Sequence, residues 1–145
     1  MDEKYELLEH VYKDASMASY SIQKLIDKLK DRDNKIKSYL EEILEKYQEF
    51  EDEAKDLLKN NDAAVVDESI FKKMMSAMGI SKEVKEDNSD ASIADMMIQG
   101  ISMGSIEMEK KVKAYKDQVS KEHLKLAKEF LKFQEKTVDQ LKKYL

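Results

Sequence analysis

The sequence predicts an all-α protein, a four-helix bundle in which two antiparallel hairpins are joined by a long crossover containing a short helix. Three observations carry the prediction. Of 145 residues 39% are charged and 41% hydrophobic, with no proline and three glycines, which is the composition of long amphipathic helices. Apolar residues recur at alternating spacings of three and four through four separate stretches, the period of helices that each bury one face. The first and third interruptions of this pattern are a few residues long, whereas the second runs over residues 61–89. Short turns make antiparallel neighbours, and so long a connection can run the length of a bundle. A chain of this size suits one domain, residues 1–145.

Helix one is expected over about 3–30, with Leu8, Val11, Ala15, Ala18, Ile22, Leu25 and Leu29 on its stripe and Tyr5, Tyr12 and Ile26 widening it. Its middle, ASMASYS, is rich in small side chains. Asp33 or Asn34 can then cap helix two, about 34–60, because their side chains accept from the first free amides. The second stripe is Ile36, Leu40, Ile43, Tyr47, Phe50, Ala54 and Leu57, and it ends at Asn60 and Asn61, which tolerate a left-handed cap. Inside the crossover a short helix over about 67–78 has Asp67 as cap, Val66 and Phe71 as a hydrophobic staple, and Gly79 with Ile80 as its closure. Asn88, Ser89 or Asp90 can cap helix three, about 90–116.

Helix four, about 120–144, begins at a Ser120 cap with Val119 and Leu124 as a second staple. Its stripe reads Leu124, Ala127, Leu131, Val138, Leu141 and Leu145, flanked by Phe130 and Phe133, with Gln134 as the one polar member. Helix two is net acidic and helix four net basic, so these two are expected to be neighbours, although single surface pairs are weak.

The segment from Ile93 to Tyr115 reads as the helix around which the others pack. Gly100 and Gly104 are four residues apart and share a face. A glycine inside a helix costs about 1 kcal/mol relative to alanine, so a pair of them calls for a reason. The reason expected is close helix packing against Ala15, Ala18 and Ser19 of helix one; the other reading is space for a ligand. Seven of the nine methionines, Met74, Met75, Met78, Met96, Met97, Met103 and Met108, lie in the crossover and helix three. Flexible thioethers fill irregular core gaps, which is the reading taken, and also suit surfaces that accept apolar guests.

Composition excludes several classes of function. Of 26 Lys and Arg residues only Arg32 is an arginine, and the net charge is -5; a chain without forked guanidinium groups and with that sign of charge is not expected to bind nucleic acid. No apolar run approaches the ~18 residues of a membrane span. There is no cysteine, hence no disulfide, thiolate metal site or cysteine nucleophile. The start, MDEKYELLEH, lacks a basic region followed by an apolar run, so a cytoplasmic location is expected. No segment carries a motif that identifies a substrate or a reaction.

Two hairpins joined by one long crossover resemble the ferritin-like superfamily, which includes rubrerythrins and several small bacterial proteins. The resemblance is one of architecture and covers the whole chain. The family's diiron site takes a Glu from each of two helices and a Glu-x-x-His from each of the others. That motif is missing, since neither His10 nor His123 has a Glu three residues before it, and both are expected at a surface or boundary.

Glu107, seven residues after Gly100, falls where the resemblance implies a helix-three carboxylate, at about the level of Asp14, Phe50 and Glu129 with Tyr12 and Tyr47 in reach. A buried carboxylate must be paired, hydrogen-bonded or protonated, and a tyrosine or lysine partner is the reading taken. The function expected is therefore that of a metal-free helical binding or structural protein, not an enzyme and without cofactor. The alternative is a ferritin-like oxidoreductase or metal-storage protein holding iron or manganese on a degenerate site of Glu107, Asp14, Glu49, Glu53 and Glu129. A homodimer is the partner expected, covering apolar surface extended by Tyr20, Tyr39 and Tyr144; a protein or apolar ligand partner stays unspecified.

Overall fold

A computed structural model describes residues 3–61, 63, 65, 66, 69–71, 73 and 88–145. The described chain is all-helical. Helix α1 spans Glu6–Lys28 after a 3-10 turn at Glu3–Tyr5, α2 spans Lys37–Asn60, α3 spans Asp90–Tyr115, and α4 spans Lys121–Leu141 with a closing 3-10 turn at Lys142–Tyr144. Residues 69–71 and 73 are helical. Asp67, Met74, Met75, Met78, Gly79 and Ile80, and with them the expected cap, closure and methionine run of the crossover, lie outside the described residues. Among the described residues no helix is long and apolar enough to cross a membrane.

Helices α1 and α4 each pack on the three other long helices, whereas α3 packs mainly on α4 and α1; the expectation that helix three would be the one around which the others pack is corrected. The reason is the breadth of the buried face of α1, where Leu7, Leu8, Val11, Tyr12, Ala15, Ser16, Ser19, Ile22 and Leu25 are all buried. Burial of this kind, about 25 cal/mol per Å² of apolar surface, is what holds such helices together.

Contacts between helix ends give the relative directions. The carboxylate of Asp90, first residue of α3, accepts from Asn34 Nδ2 at 2.9 Å and from the Lys35 backbone amide at 3.1 Å, just before α2. Asn34 Nδ2 also donates to the Asn88 carbonyl at 2.6 Å. The starts of α2 and α3 are thus tied together. Near the other end Lys111 of α3 pairs with Glu6 of α1 at 3.1 Å, so α1 and α3 run in opposite directions. The start of α4 meets the start of α1, where the His123 and Tyr5 rings are 6.2 Å apart.

Two expected caps are corrected. Neither Asp33 nor Asn34 caps α2, whose N-cap is Ile36 with no side-chain bond, because Asn34 is turned toward α3 and Asp90 reaches back to the free amides instead. Asn61 is not left-handed, with φ -101°; its Nδ2 donates to the Leu57 carbonyl at 2.7 Å and Tyr5 Oη donates to its carbonyl at 3.0 Å. Ser89 and Ser120 do cap α3 and α4, accepting from the amides of Ser92 and His123. The start of the crossover lies on α1: Tyr12 Oη donates to the Val66 carbonyl at 3.0 Å and its ring meets the edge of buried Phe71.

Helices two and four are neighbours through rings. Tyr47 packs against Phe130 and Phe133, Phe50 against both, and Tyr39 stacks on Tyr144. Tyr39 and Tyr144 are therefore engaged within the chain, and Tyr20 is half-buried with Lys24 over its ring. Among the described residues the exposed large apolar ones are Val66, Ile70, Met103, Ile106 and Leu145.

Candidate functional site

The buried faces of α3 and α4 are rotated from the expected tracks. In α3 the inward residues are Ile93, Ala94, Met97, Ile101, Met108 and Val112. Gly100 and Glu107 precede Ile101 and Met108 by one residue, about 100° round the helix, and both are exposed. In α4 the buried set is His123, Leu126, Ala127, Phe130, Gln134, Thr137 and Leu141, which brings polar side chains inward. His123 is buried, a correction to its surface or boundary placement; its Nδ1 lies 3.4 Å from the Lys4 carbonyl oxygen. Thr137 Oγ1 donates to the Phe133 carbonyl at 2.8 Å, which satisfies a hydroxyl in the core.

The most distinctive interior feature is a polar layer to which α1, α3 and α4 contribute. Gln134 Nε2 donates to Asp14 Oδ2 at 2.9 Å. A β-carbon on Gly104 would stand 2.9 Å from that oxygen and 3.0 Å from that nitrogen. The glycine is therefore where it is because the hydrogen-bonded pair occupies the volume a side chain would fill. Neither the close approach to Ala15, Ala18 and Ser19 nor a ligand space describes the contact at Gly104. Around Gly100 no atom of the described residues lies within 4 Å of a β-carbon position, so no close packing explains that glycine.

Enclosure changes the chemistry of these groups. Burial pushes the Asp14 carboxyl up from 3.8 to about 6, with the Gln134 hydrogen bond and the charge of Lys13 opposing. Tyr47 of α2, fully buried, has its phenol held well above 10 by burial and by the Asp14 charge. Beside them Ser16 Oγ donates to Glu51 Oε2 at 2.5 Å, and both residues are buried. Nearer the start of α1, His10 is pushed down from 6.5 to about 4 by burial and by Lys111 and Lys13, against Glu107 and Glu6.

The carboxylates proposed as metal ligands are not brought together. Glu107, Glu49 and Glu129 are exposed and lie 3.9, 3.5 and 3.8 Å from Lys110, Lys46 and Lys125 of their own helices; Glu53 is also exposed. Only Asp14 is interior. Among the described residues no three His, Cys, Asp or Glu side chains cluster closely enough to hold a metal ion. Among the described residues Asp14 has the Gln134 amide, and not a second carboxylate, as its side-chain neighbour. Sequence reasoning missed the Ser16–Glu51 pair, although Glu51 stands seven residues before Leu58 and seven after Leu44 on a buried track. That spacing was the signal.

Comparison with protein-family models, with curated proteins and with solved structures finds no match for the chain.

Proposed function

We propose that the chain is a metal-free, ferritin-like four-helix bundle of the cytoplasm that acts as a binding or structural module and not as an oxidoreductase or an iron or manganese store. The observation that carries this reading is the Asp14–Gln134 hydrogen bond seated over Gly104. At the level where such a bundle would need several converging carboxylates, the described residues bring one, and it accepts a hydrogen bond from an amide. The ferritin-like arrangement itself draws support from the helix ends. With the starts of α2 and α3 tied through Asp90, and α1 antiparallel to α3 through Glu6 and Lys111, two hairpins joined by a crossover are the simplest connection.

Elemental analysis of protein purified without chelator tests the reading. Iron and manganese well below one ion per chain are expected, unchanged in Asp14→Asn. Stoichiometric metal in the wild type that Asp14→Asn abolishes would overturn it.

A further inference from the structure

We propose that the outer face of α3 is a self-association surface on which two copies of this chain pair antiparallel, about a two-fold axis passing beside Met103. Gly100 has no packing role among the described residues. Gly104 is explained by the Asp14–Gln134 pair, but Gly100 faces outward with open space where a side chain would be. In an exposed helix interior glycine is a poorer helix former than alanine, and no contact within the described residues requires it. On the same face Met103 is 71% exposed and Ile106 52% exposed. Large apolar side chains grouped beside an unexplained glycine mark a surface made to be covered.

The charge pattern selects the occupant and its direction. Asp90 and Lys111 are engaged within the chain; apart from them the helix carries Asp95 and no basic residue before Glu107, whereas from Glu107 to Lys116 it carries three lysines against two glutamates. A parallel copy would set like halves against each other. An antiparallel copy sets the acidic half of each helix against the basic half of its partner.

Steric complementarity then gives the register. With Met103 at the centre, Gly100 of one copy lies level with the partner's Ile106, so the missing side chain lets the two helices approach at that level, and this occurs twice by symmetry. The same register brings the Gln99 amide to the partner's Glu107 carboxylate, where it can donate a hydrogen bond. The alkyl stem of Lys110 covers the partner's Met96 in the same way. This surface is independent of the interior polar layer, so the proposal stands or falls apart from the metal-free reading.

The test uses the absence of cysteine from the chain. Sedimentation velocity of the wild type from about 1 to about 500 μM should show a monomer–dimer equilibrium, since a single helix pair falls at the small end of stable interfaces. Met103→Glu should fold normally, its side chain being exposed, and raise the dissociation constant by about tenfold or more. Met103→Cys should give a disulfide-linked dimer under mild oxidation far faster than Gln48→Cys, which places the thiol on the exposed face of α2. A wild type that stays monomeric throughout would assign the face to a different partner and overturn the proposal. So would a dimer that Met103→Glu leaves unchanged, or cross-linking no faster at position 103 than at position 48.

Discussion

Asp14 and His10 are both on α1, one turn apart, and burial moves them in opposite directions. Between about pH 4 and 6 the folded chain keeps a proton on Asp14 that the unfolded chain has released, so this group's contribution to stability falls as pH rises through that window. Between about pH 4 and 6.5 the unfolded chain holds a proton on His10 that the folded chain refuses, so this contribution rises with pH. The two largely offset. Asp14→Asn, which keeps an oxygen to accept from Gln134, should therefore make stability climb by roughly 1–3 kcal/mol from pH 4 to 7, and His10→Gln should make it fall by a similar amount. Urea denaturation at several pH values reads both slopes, and variants that share the wild-type slope would refute the assignment. The glycines separate in the same way. Gly100→Ala should raise stability by about 0.5–1 kcal/mol, because propensity improves and nothing is displaced. Gly104→Leu should lower it by about 2–4 kcal/mol, because the buried pair must be pushed apart. Thermal melts with shifts of the same sign for both would contradict the geometry.

At the scale of elements, α2 begins without a cap of its own. The Asp90 carboxylate of α3 takes the Lys35 amide and the Asn34 side chain, so one residue serves the start of two helices, adding negative charge to the first turn of α3 as well. Asp90→Ala should cost about 1–2 kcal/mol, more than the loss of an ordinary surface acid, because it frees donors at α2 and removes the tie between helices. Asp33→Ala, on an exposed residue beside it, should change little. Amide hydrogen exchange at Lys35 should quicken in Asp90→Ala and stay unchanged in Asp33→Ala; equal behaviour would remove the tie. Expecting a cap at Asp33 or Asn34 was sound local chemistry. The cap comes instead from a residue 55 positions away, which no local signal reveals.

For the whole molecule the relative direction of α2 and α3 is the arrangement that the proposed bundle depends on. Spin labels at Ser38 and Ser92, each replaced by cysteine in a chain that has none, should report a short separation because the two helices start together. Labels at Asn60 and Ser92 should be farther apart by about the 36 Å length of a 24-residue helix. The reverse order would mean α2 and α3 are antiparallel and would end the ferritin-like reading.

The sequence by itself determined the all-helical class, the approximate extents of the long helices and the serine cap at Ser120, and it narrowed the cap of α3 to Asn88, Ser89 or Asp90, because periodicity and capping are properties of neighbouring residues. It also marked Gln134 as an anomaly on an apolar track. Only the tertiary structure decided which way α3 faces. That helix is apolar round most of its circumference, with Met97 and Met108 inward and Met103 and Ile106 outward, so its pattern had no phase, and the expected track through Gly100 and Glu107 was one residue out. In α4 the phase was masked for the opposite reason, since His123, Gln134 and Thr137 lie in the core and look like surface residues. Each is tolerated there by a contact: His123 near the Lys4 carbonyl, Gln134 with Asp14, Thr137 with the Phe133 carbonyl. A buried polar group is placed by its partner, and for Gln134 that partner is 120 residues away, joined to it only when the helices pack.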